Sequence, residues 1–300
     1  MVETKFIWLN GKFVRWKEAK VHLLSNALHY GSGVFEGIRF YETTKGPAVF
    51  RLKEHLERLF YSAEVIKIKI PFSKKDLLKA ILDLIKINKL KEGYIRPIVF
   101  YGYGKMSLNP LGAEINVGIA AWPWSKYLKE TAKVKISKFI RLHPRSVISD
   151  AKVSGYYVNS ILATLDAQLS GYDEAILLDY RGYIAEGAGE NIFIVKDKVL
   201  LTPKLGSILP GITRKTVIEI AKDLKIKTKE KDISVKELLN ADEVFFTGTA
   251  AEITPVVQIN NKLINKGKEG EITKRIREFF NEIKLGKVKK YLKWLTFVNK

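Results

Sequence analysis

The chain has 300 residues, room for about two domains at roughly 150 residues each, and its 46% hydrophobic and 28% charged content is a globular balance with material for a core. There are no cysteines, which excludes disulfides, thiolate nucleophiles and cysteine metal sites together. Lys plus Arg exceeds Asp plus Glu by 52 − 32 = 20, yet the lysines are interleaved with acids, as over Lys225–Lys236, so the excess marks no nucleic-acid face. The one dense basic stretch, Lys284–Lys293 with Tyr291, Trp294 and Phe297, reads as a solvated face with aromatics packed beneath it. No apolar run approaches the ~20 residues that span a membrane, and Met1–Asn10 lacks a signal-peptide core. The expectation is a soluble, cytoplasmic protein. Two methionines with many Lys and Glu resemble heat-adapted compositions.

Taken in order, Phe6–Leu9 and Lys12–Trp16 flank Asn10-Gly11, a pair suited to a type I′ hairpin turn. Ile38–Tyr41 and Ala48–Arg51 flank Gly46-Pro47, where a second turn is expected. Leu52, Leu56, Leu59, Ala63 and Ile66 recur at helical spacing, with Arg58 off that stripe. A second helix is predicted over Lys74–Asn88, then strands over Tyr94–Tyr101 and Ile115–Ala121. The polar segment 123–133 is read as a connection between a smaller N-terminal α+β domain, 1–122, and a larger domain, 134–300. Beyond it come a helix over Tyr156–Leu169 and strands at Ala175–Leu178, Asn191–Val195 and Val199–Leu201. A helix over Thr213–Leu224 and a buried strand, Glu243–Thr247, complete the pattern. Strands cluster before helices, so the class is α+β.

Several chemistries are missing. His22, His29, His55 and His143 are scattered and show no metal-ligand spacing, so no metal is expected. No nucleophile elbow and no Walker loop occurs, and Gly31-Ser32-Gly33-Val34-Phe35-Glu36-Gly37 has one residue too many for a dinucleotide fingerprint. Other segments invite explanation. Glu186-Gly187-Ala188-Gly189-Glu190-Asn191 sets two acids in a Gly-rich corner before an apolar strand. Leu209-Pro210-Gly211-Ile212-Thr213 leads into a helix whose first amides and Thr213 hydroxyl can face an anion, or simply cap it. Gly248-Thr249-Ala250-Ala251 follows a buried strand with small residues and exposed amides, as a tight turn also would. Lys152, by itself, is one lysine among many.

In this order, the runs His29–Arg39, Tyr94-Ile95-Arg96-Pro97, Ala151-Lys152, Glu186–Asn191, Leu209–Thr213 and Gly248–Pro255 resemble the branched-chain aminotransferase group of the fold type IV pyridoxal-phosphate enzymes. The resemblance covers nearly the whole chain. It implies two α+β domains like those of D-amino acid aminotransferase, with pyridoxal 5′-phosphate in the cleft between them, and a homo-oligomer, at least a dimer. By resemblance Lys152 forms the internal aldimine and carries the proton between the substrate α-carbon and the cofactor. Glu186 matches the acid at the pyridine nitrogen and Tyr157 the residue beside the phenolic oxygen. Arg58, Ile212, Thr213 and Thr249 match the phosphate cup, where a guanidinium fork has an advantage over an ammonium.

Substrate residues follow in the same way. Tyr94 with the amides near Thr249 and Ala250 resembles the α-carboxylate site. Phe35, Gly37 and Tyr30 resemble an apolar side-chain pocket, which Leu108 enters from a second subunit, and Arg96 the residue that meets the distal carboxylate of glutamate. The activity implied is transfer of the amino group of leucine, isoleucine or valine to 2-oxoglutarate by a ping-pong cycle, within branched-chain amino acid biosynthesis. The small-molecule partners are amino acids and 2-oxo acids, with neither nucleic acid nor membrane. Asn26 stands where many relatives have histidine, and Tyr156 where asparagine is common; both bear on substrate preference, not on bond making. A D-amino acid aminotransferase or an aminodeoxychorismate lyase is the alternative within the fold, but Glu36-Gly37-Ile38-Arg39 and Tyr94-Ile95-Arg96 fit the branched-chain group better. A nucleic-acid binder is the alternative outside it.

Overall fold

The computed structural model describes residues 2–124 and 128–299. Residues 125–127, in the middle of the expected connection, lie outside the described ones. The first hairpin forms as its turn chemistry dictates. Asn10 and Gly11 both take positive φ, 47° and 92°, as a type I′ turn requires, and Phe6–Leu9 then pairs with Lys12–Arg15 in register Leu9 to Lys12. The second turn differs from expectation. Thr43 pairs with Gly46, so the loop is Thr44-Lys45 and Gly46-Pro47 opens the strand Gly46–Phe50. Pro47 has no N–H to donate, but its carbonyl still accepts from Val298 N at 2.9 Å.

One compact unit comprises residues 1–125, 151–156 and 282–300. Its sheet runs in the order Leu295–Phe297, Gly46–Phe50, Ile38–Thr43, Gly93–Tyr101, Ile115–Trp122, Phe6–Leu9, Lys12–Arg15, and Gly33–Phe35 also pairs with Gly93–Tyr101. The helices Leu52–Val65 and Lys74–Ile87 bury their apolar stripes against this sheet. Leu56, Leu59, Leu77, Ile81 and Leu84 pack with Ile38, Ile95, Val99, Val117 and Ile119 in one core. Ser73 starts the second helix by accepting from Asp76 N at 3.1 Å, while the Asp76 carboxylate accepts from Ser73 N at 2.9 Å, a reciprocal cap. The basic C-terminal stretch does bury its aromatics, since Tyr291 and Trp294 lie in the interior. Arg51 stacks on Trp294 at 4.4 Å and donates its backbone N–H to the Trp294 carbonyl.

The other unit comprises residues 126–150 and 157–281. Its sheet order is Ile184–Gly187, Glu174–Leu178, Ala132–Ile136, Glu252–Ile259, Glu243–Gly248, Asn191–Lys196, Val199–Thr202, Thr228–Glu230. Ala132–Ile136 runs parallel to both neighbours. This strand and Glu252–Ile259 are additions to the predicted elements. Alternation of buried Ala132 and Val134 with Lys133 and Lys135 makes the first look polar in sequence. The helix Tyr157–Gln168 packs inward through small residues, Ser160, Ala163 and Ala167, against Ala175 and Leu177. Its large apolar residues Val158, Ile161, Leu162 and Leu165 point outward. Among the described residues no helix is long and apolar enough to cross a membrane.

Leu59 is fully buried in the helix that carries His55 and Arg58. Truncation to Ala removes its contacts and leaves a cavity, so Leu59→Ala is expected to lower unfolding free energy by about 2–5 kcal/mol, measured by urea denaturation followed by circular dichroism.

Candidate active site

In the first unit the backbone of Lys152 is fastened from two sides. Its N–H donates to Ser62 Oγ at 2.8 Å, and its carbonyl accepts from Phe35 N at 3.2 Å, while Val34 bridges Val153. Gly31 and Gly155 meet so closely that a Cβ on Gly31 would stand 2.6 Å from the Gly155 Cα, and Gly155 N donates to the Gly31 carbonyl at 3.0 Å. Only glycine at 31 permits this approach, and its φ of 66° favours glycine as well. The Lys152 ammonium, half-buried, lies 5.1 Å from the Phe35 ring centre.

The same unit holds four of the predicted substrate residues close together, Phe35, Gly37, Tyr94 and Arg96. Tyr94 and Arg96 are two apart on one strand and so share a face. Arg96 lies over the Phe35 ring at 4.9 Å and the Tyr94 ring at 5.5 Å, and its Nε is buried with no hydrogen-bond partner. Gly37 is held to glycine by Tyr94, whose Oη would stand 1.8 Å from an added Cβ. Tyr94 is braced in turn by Trp122 and Trp124. Tyr30 and Leu108 are not drawn into this group within a single chain, being 47% and 87% exposed. Asn26 organises the loop before Leu108, its Nδ2 donating to the carbonyls of Lys105 and Ser107 while its Oδ1 accepts from Ser32 Oγ.

Arg58 meets a partner that sequence reasoning overlooked. The wholly buried Glu36 accepts from Arg58 Nε on Oε1 at 2.6 Å and from Nη2 on Oε2 at 3.0 Å. His55, one helical turn before Arg58, donates Nδ1–H to Oε2 at 2.7 Å. Burial pushes the Glu36 carboxyl up, but the Arg58 charge and the donors from His55 and Arg58 outweigh it and hold it well below the usual carboxylate range. Burial dominates at His55 and lowers its pKa in spite of Glu36. At neutral pH His55 therefore contributes a hydrogen bond, not a charge.

The second unit holds Tyr157, Glu186, Ile212, Thr213, Thr249 and Ala250. Glu186 is buried, accepting from Arg141 Nε at 2.7 Å on Oε1, from Asn191 Nδ2 at 3.0 Å on Oε2, and from Leu209 N at 3.2 Å. Arg141 is fixed in turn, donating Nη1–H to Asn159 Oδ1 and its backbone N–H to the Leu178 carbonyl. These donors hold the carboxylate in one orientation. Gly211 caps the helix Ile212–Asp223 with no side-chain cap, and a Cβ on it would strike Asn191 Oδ1 at 1.9 Å. The first amides of that helix, beside buried Thr213, have no partner within the helix and are of the kind that can face an anion. Thr249 and Ala250 form the turn between the strands Glu243–Gly248 and Glu252–Ile259. Thr247, opposite Asn191 in register, keeps a buried hydroxyl without a hydrogen-bond partner. Tyr157 opens the helix Tyr157–Gln168.

Glu36, His55, Ser62, Arg141, Asn191 and Thr247 thus contact or adjoin the expected site residues, and none had a role assigned from sequence. His55 and Arg58, three apart on a predicted helix, carried a usable signal. Arg141 carried none.

Residues 33–259 match the family model described as amino-transferase class IV. The chain is 45% identical over 301 residues, 98% of this chain and 97% of the relative, to the branched-chain-amino-acid aminotransferase of Escherichia coli K12. It is similar to the branched-chain amino acid aminotransferase of T. thermophilus, solved with N-(5′-phosphopyridoxyl)-L-glutamate and with 4-methylvaleric acid, at a TM-score of 0.97, 45% identity and full coverage of both chains. The enzyme of the thermophilic archaeon Thermoproteus uzoniensis, solved with norvaline, gives a TM-score of 0.95 at 46% identity, over 98% and 99% of the two chains. The protein belongs to the class IV aminotransferases, with the α+β architecture of fold type IV.

The depressed pKa of His55 makes a prediction about pH. An imidazole kept neutral in the fold and protonated near pH 6.5 when unfolded adds stability above that pH, and loses it as pH falls toward the folded value. Comparing the melting temperatures of wild type and His55→Gln at pH 8 and at pH 5, the advantage of the wild type is expected to shrink at the lower pH.

Proposed function

We propose that the protein is a branched-chain amino acid transaminase that uses pyridoxal 5′-phosphate and passes the amino group of L-leucine, L-isoleucine or L-valine to 2-oxoglutarate in a ping-pong cycle. Support comes first from the fixed backbone of Lys152, which presents an amine beside the Phe35 ring. When bound, pyridoxal phosphate supplies an aldehyde carbon that takes up an amino group and a ring that withdraws electrons from the substrate α-carbon. The residues present fit it. The Glu186 carboxylate suits a protonated ring nitrogen, Arg58 in the first unit and the amides of Ile212, Thr213 and Thr249 in the second are each of a kind that suits a phosphate, and the lone Thr247 hydroxyl is a further polar contact in want of a partner.

In this reading Lys152 Nζ would hold the cofactor, and its amine, once free, would take up the proton at the substrate α-carbon. Glu186, oriented by Arg141 and Asn191, would stabilise positive charge on its ligand. Tyr157 orients the ring edge. Phe35, Gly37 and Tyr94 hold an aliphatic side chain and the α-carboxylate, with the Thr249 and Ala250 amides assisting. Arg96, with its buried Nε unsatisfied, receives the distal carboxylate of glutamate in the second half-reaction. The T. thermophilus relative was solved with both a glutamate adduct and a branched aliphatic acid, which favours a pocket taking both. Each half-reaction exchanges an amino group for an oxo oxygen, with no net oxidation across the cycle.

We propose further that the chain acts as a homo-oligomer, at least a dimer. The exposure of Leu108 and Tyr30, and the outward Val158, Ile161, Leu162 and Leu165, favour apolar faces covered by a second copy. A cysteine-free composition suits a cytoplasmic enzyme. Two domains joined near 123–133 are proposed as well.

Activity is tested by incubating the purified protein with L-leucine and 2-oxoglutarate and measuring L-glutamate. Turnover is expected with the wild type and a loss of at least about 10³-fold in Lys152→Ala, the order seen when a covalent or acid–base group is removed. Turnover of D-alanine with none of L-leucine, or full activity in Lys152→Ala, overturns the reading.

A further inference from the structure

We propose that Glu36 is a positioning residue, its buried carboxylate aiming the Arg58 guanidinium at the cofactor phosphate and itself steadied by His55. The inference rests on the reading of Arg58 as a phosphate ligand given above, and adds the group on which Arg58 depends.

The geometry is that of a clamp. Arg58 meets Glu36 through two parallel hydrogen bonds, Nε to Oε1 and Nη2 to Oε2, the fork-to-fork contact that fixes the plane of a guanidinium as well as its place. Oε2 also accepts from His55 Nδ1 at 2.7 Å and from Gly37 N at 3.3 Å. Four donors thus converge on one carboxylate, close to its full capacity. Glu36 N donates to the Pro97 carbonyl at 3.0 Å, so the main chain behind the carboxylate is also held.

Arg58 lies off the apolar stripe of its helix, yet only 11% of its side chain is exposed. An arginine in that position would ordinarily extend into solvent through several rotatable bonds. The Glu36 carboxylate draws it inward and gives it one orientation before any ligand arrives, which lowers the ordering cost of binding. Stability alone gives a weak reason for such a pair, because buried ions are costly to desolvate. Location gives a stronger one. Glu36 sits between Phe35 and Gly37, and the helix bearing His55 and Arg58 also carries Ser62, which holds the Lys152 backbone. His55 is kept neutral by burial, so it braces the carboxylate without cancelling its charge.

The test compares two probes on the full-length apoprotein, pyridoxal 5′-phosphate and pyridoxal, with each affinity measured by absorbance titration. The ratio of affinities isolates the phosphate. Glu36→Gln is expected to lower that ratio about tenfold, equivalent to ~1.4 kcal/mol, with pyridoxal binding left within about twofold, and to cause no further loss once Arg58 is Gln. Where Glu36→Gln fails to fold, Glu36→Asp keeps the charge, withdraws the carboxylate by one methylene, and is expected to lower the same ratio. If Arg58→Gln lowers the ratio but neither Glu36 variant does, or if those variants weaken both probes equally, the positioning role is wrong while the phosphate reading stands. If Arg58→Gln itself leaves the ratio unchanged, the phosphate reading fails and this inference fails with it.

Discussion

A carboxylate with no exposure to water must be matched by donors, and Glu36 is matched by the guanidinium of Arg58, the imidazole of His55 and the amide of Gly37. That requirement organises the first unit around one point. It draws the helix Leu52–Val65 onto the strands Gly33–Phe35 and Ile38–Thr43, and the apolar residues of the same helix seal the core behind it. The helix then offers Ser62 to Lys152 N, while the Phe35 amide takes the Lys152 carbonyl. A lysine on an otherwise mobile side chain is thereby set on a backbone fixed from two sides.

The second unit repeats the device with a different acid. Glu186 is buried and answered by Arg141, Asn191 and Leu209 N, and Asn191 also donates to the Leu209 carbonyl at 2.9 Å. One side chain thus joins the Gly-rich corner to the segment that opens the helix Ile212–Asp223, and only glycine fits at 211 against it. The two acids differ in what they meet. Glu36 takes these donors from one strand-and-helix corner, whereas Glu186 takes its own from Arg141, Asn191 and Leu209, which lie far apart in sequence. At Glu36 the opposite charge of Arg58 within hydrogen-bond reach outweighs desolvation and holds the carboxyl below its usual range.

Much of this was legible in the sequence, for reasons that can be named. Asn10-Gly11 determined its turn through positive φ, and the helix periodicities located Leu52–Val65 and Lys74–Ile87 to within a residue or two. Lys152 and Glu186 were legible only through the ordered motifs, since a single lysine or acid has no local signature. What escaped has physical causes. Ala132–Ile136 alternates lysines with small apolar residues and looks like a linker until its parallel neighbours bury one face. Glu252–Ile259 follows directly on a motif rich in small residues that reads as a turn. The pairing of Glu36 with Arg58 spans 22 residues of sequence, and that of Arg141 with Glu186 spans 45, so neither has a periodicity to betray it. The inward face of the helix Tyr157–Gln168 is its small-residue side, an orientation set by close packing on Ala175 and Leu177.

The central claim is that Lys152 is the residue that holds the cofactor. It is tested most directly by reducing the enzyme loaded with pyridoxal 5′-phosphate using borohydride, digesting it, and locating the phosphopyridoxyl group by mass spectrometry. A single modified peptide is expected, with the group on Lys152, and its loss when L-leucine is added before reduction. Modification spread over surface lysines, or none at Lys152, would contradict it.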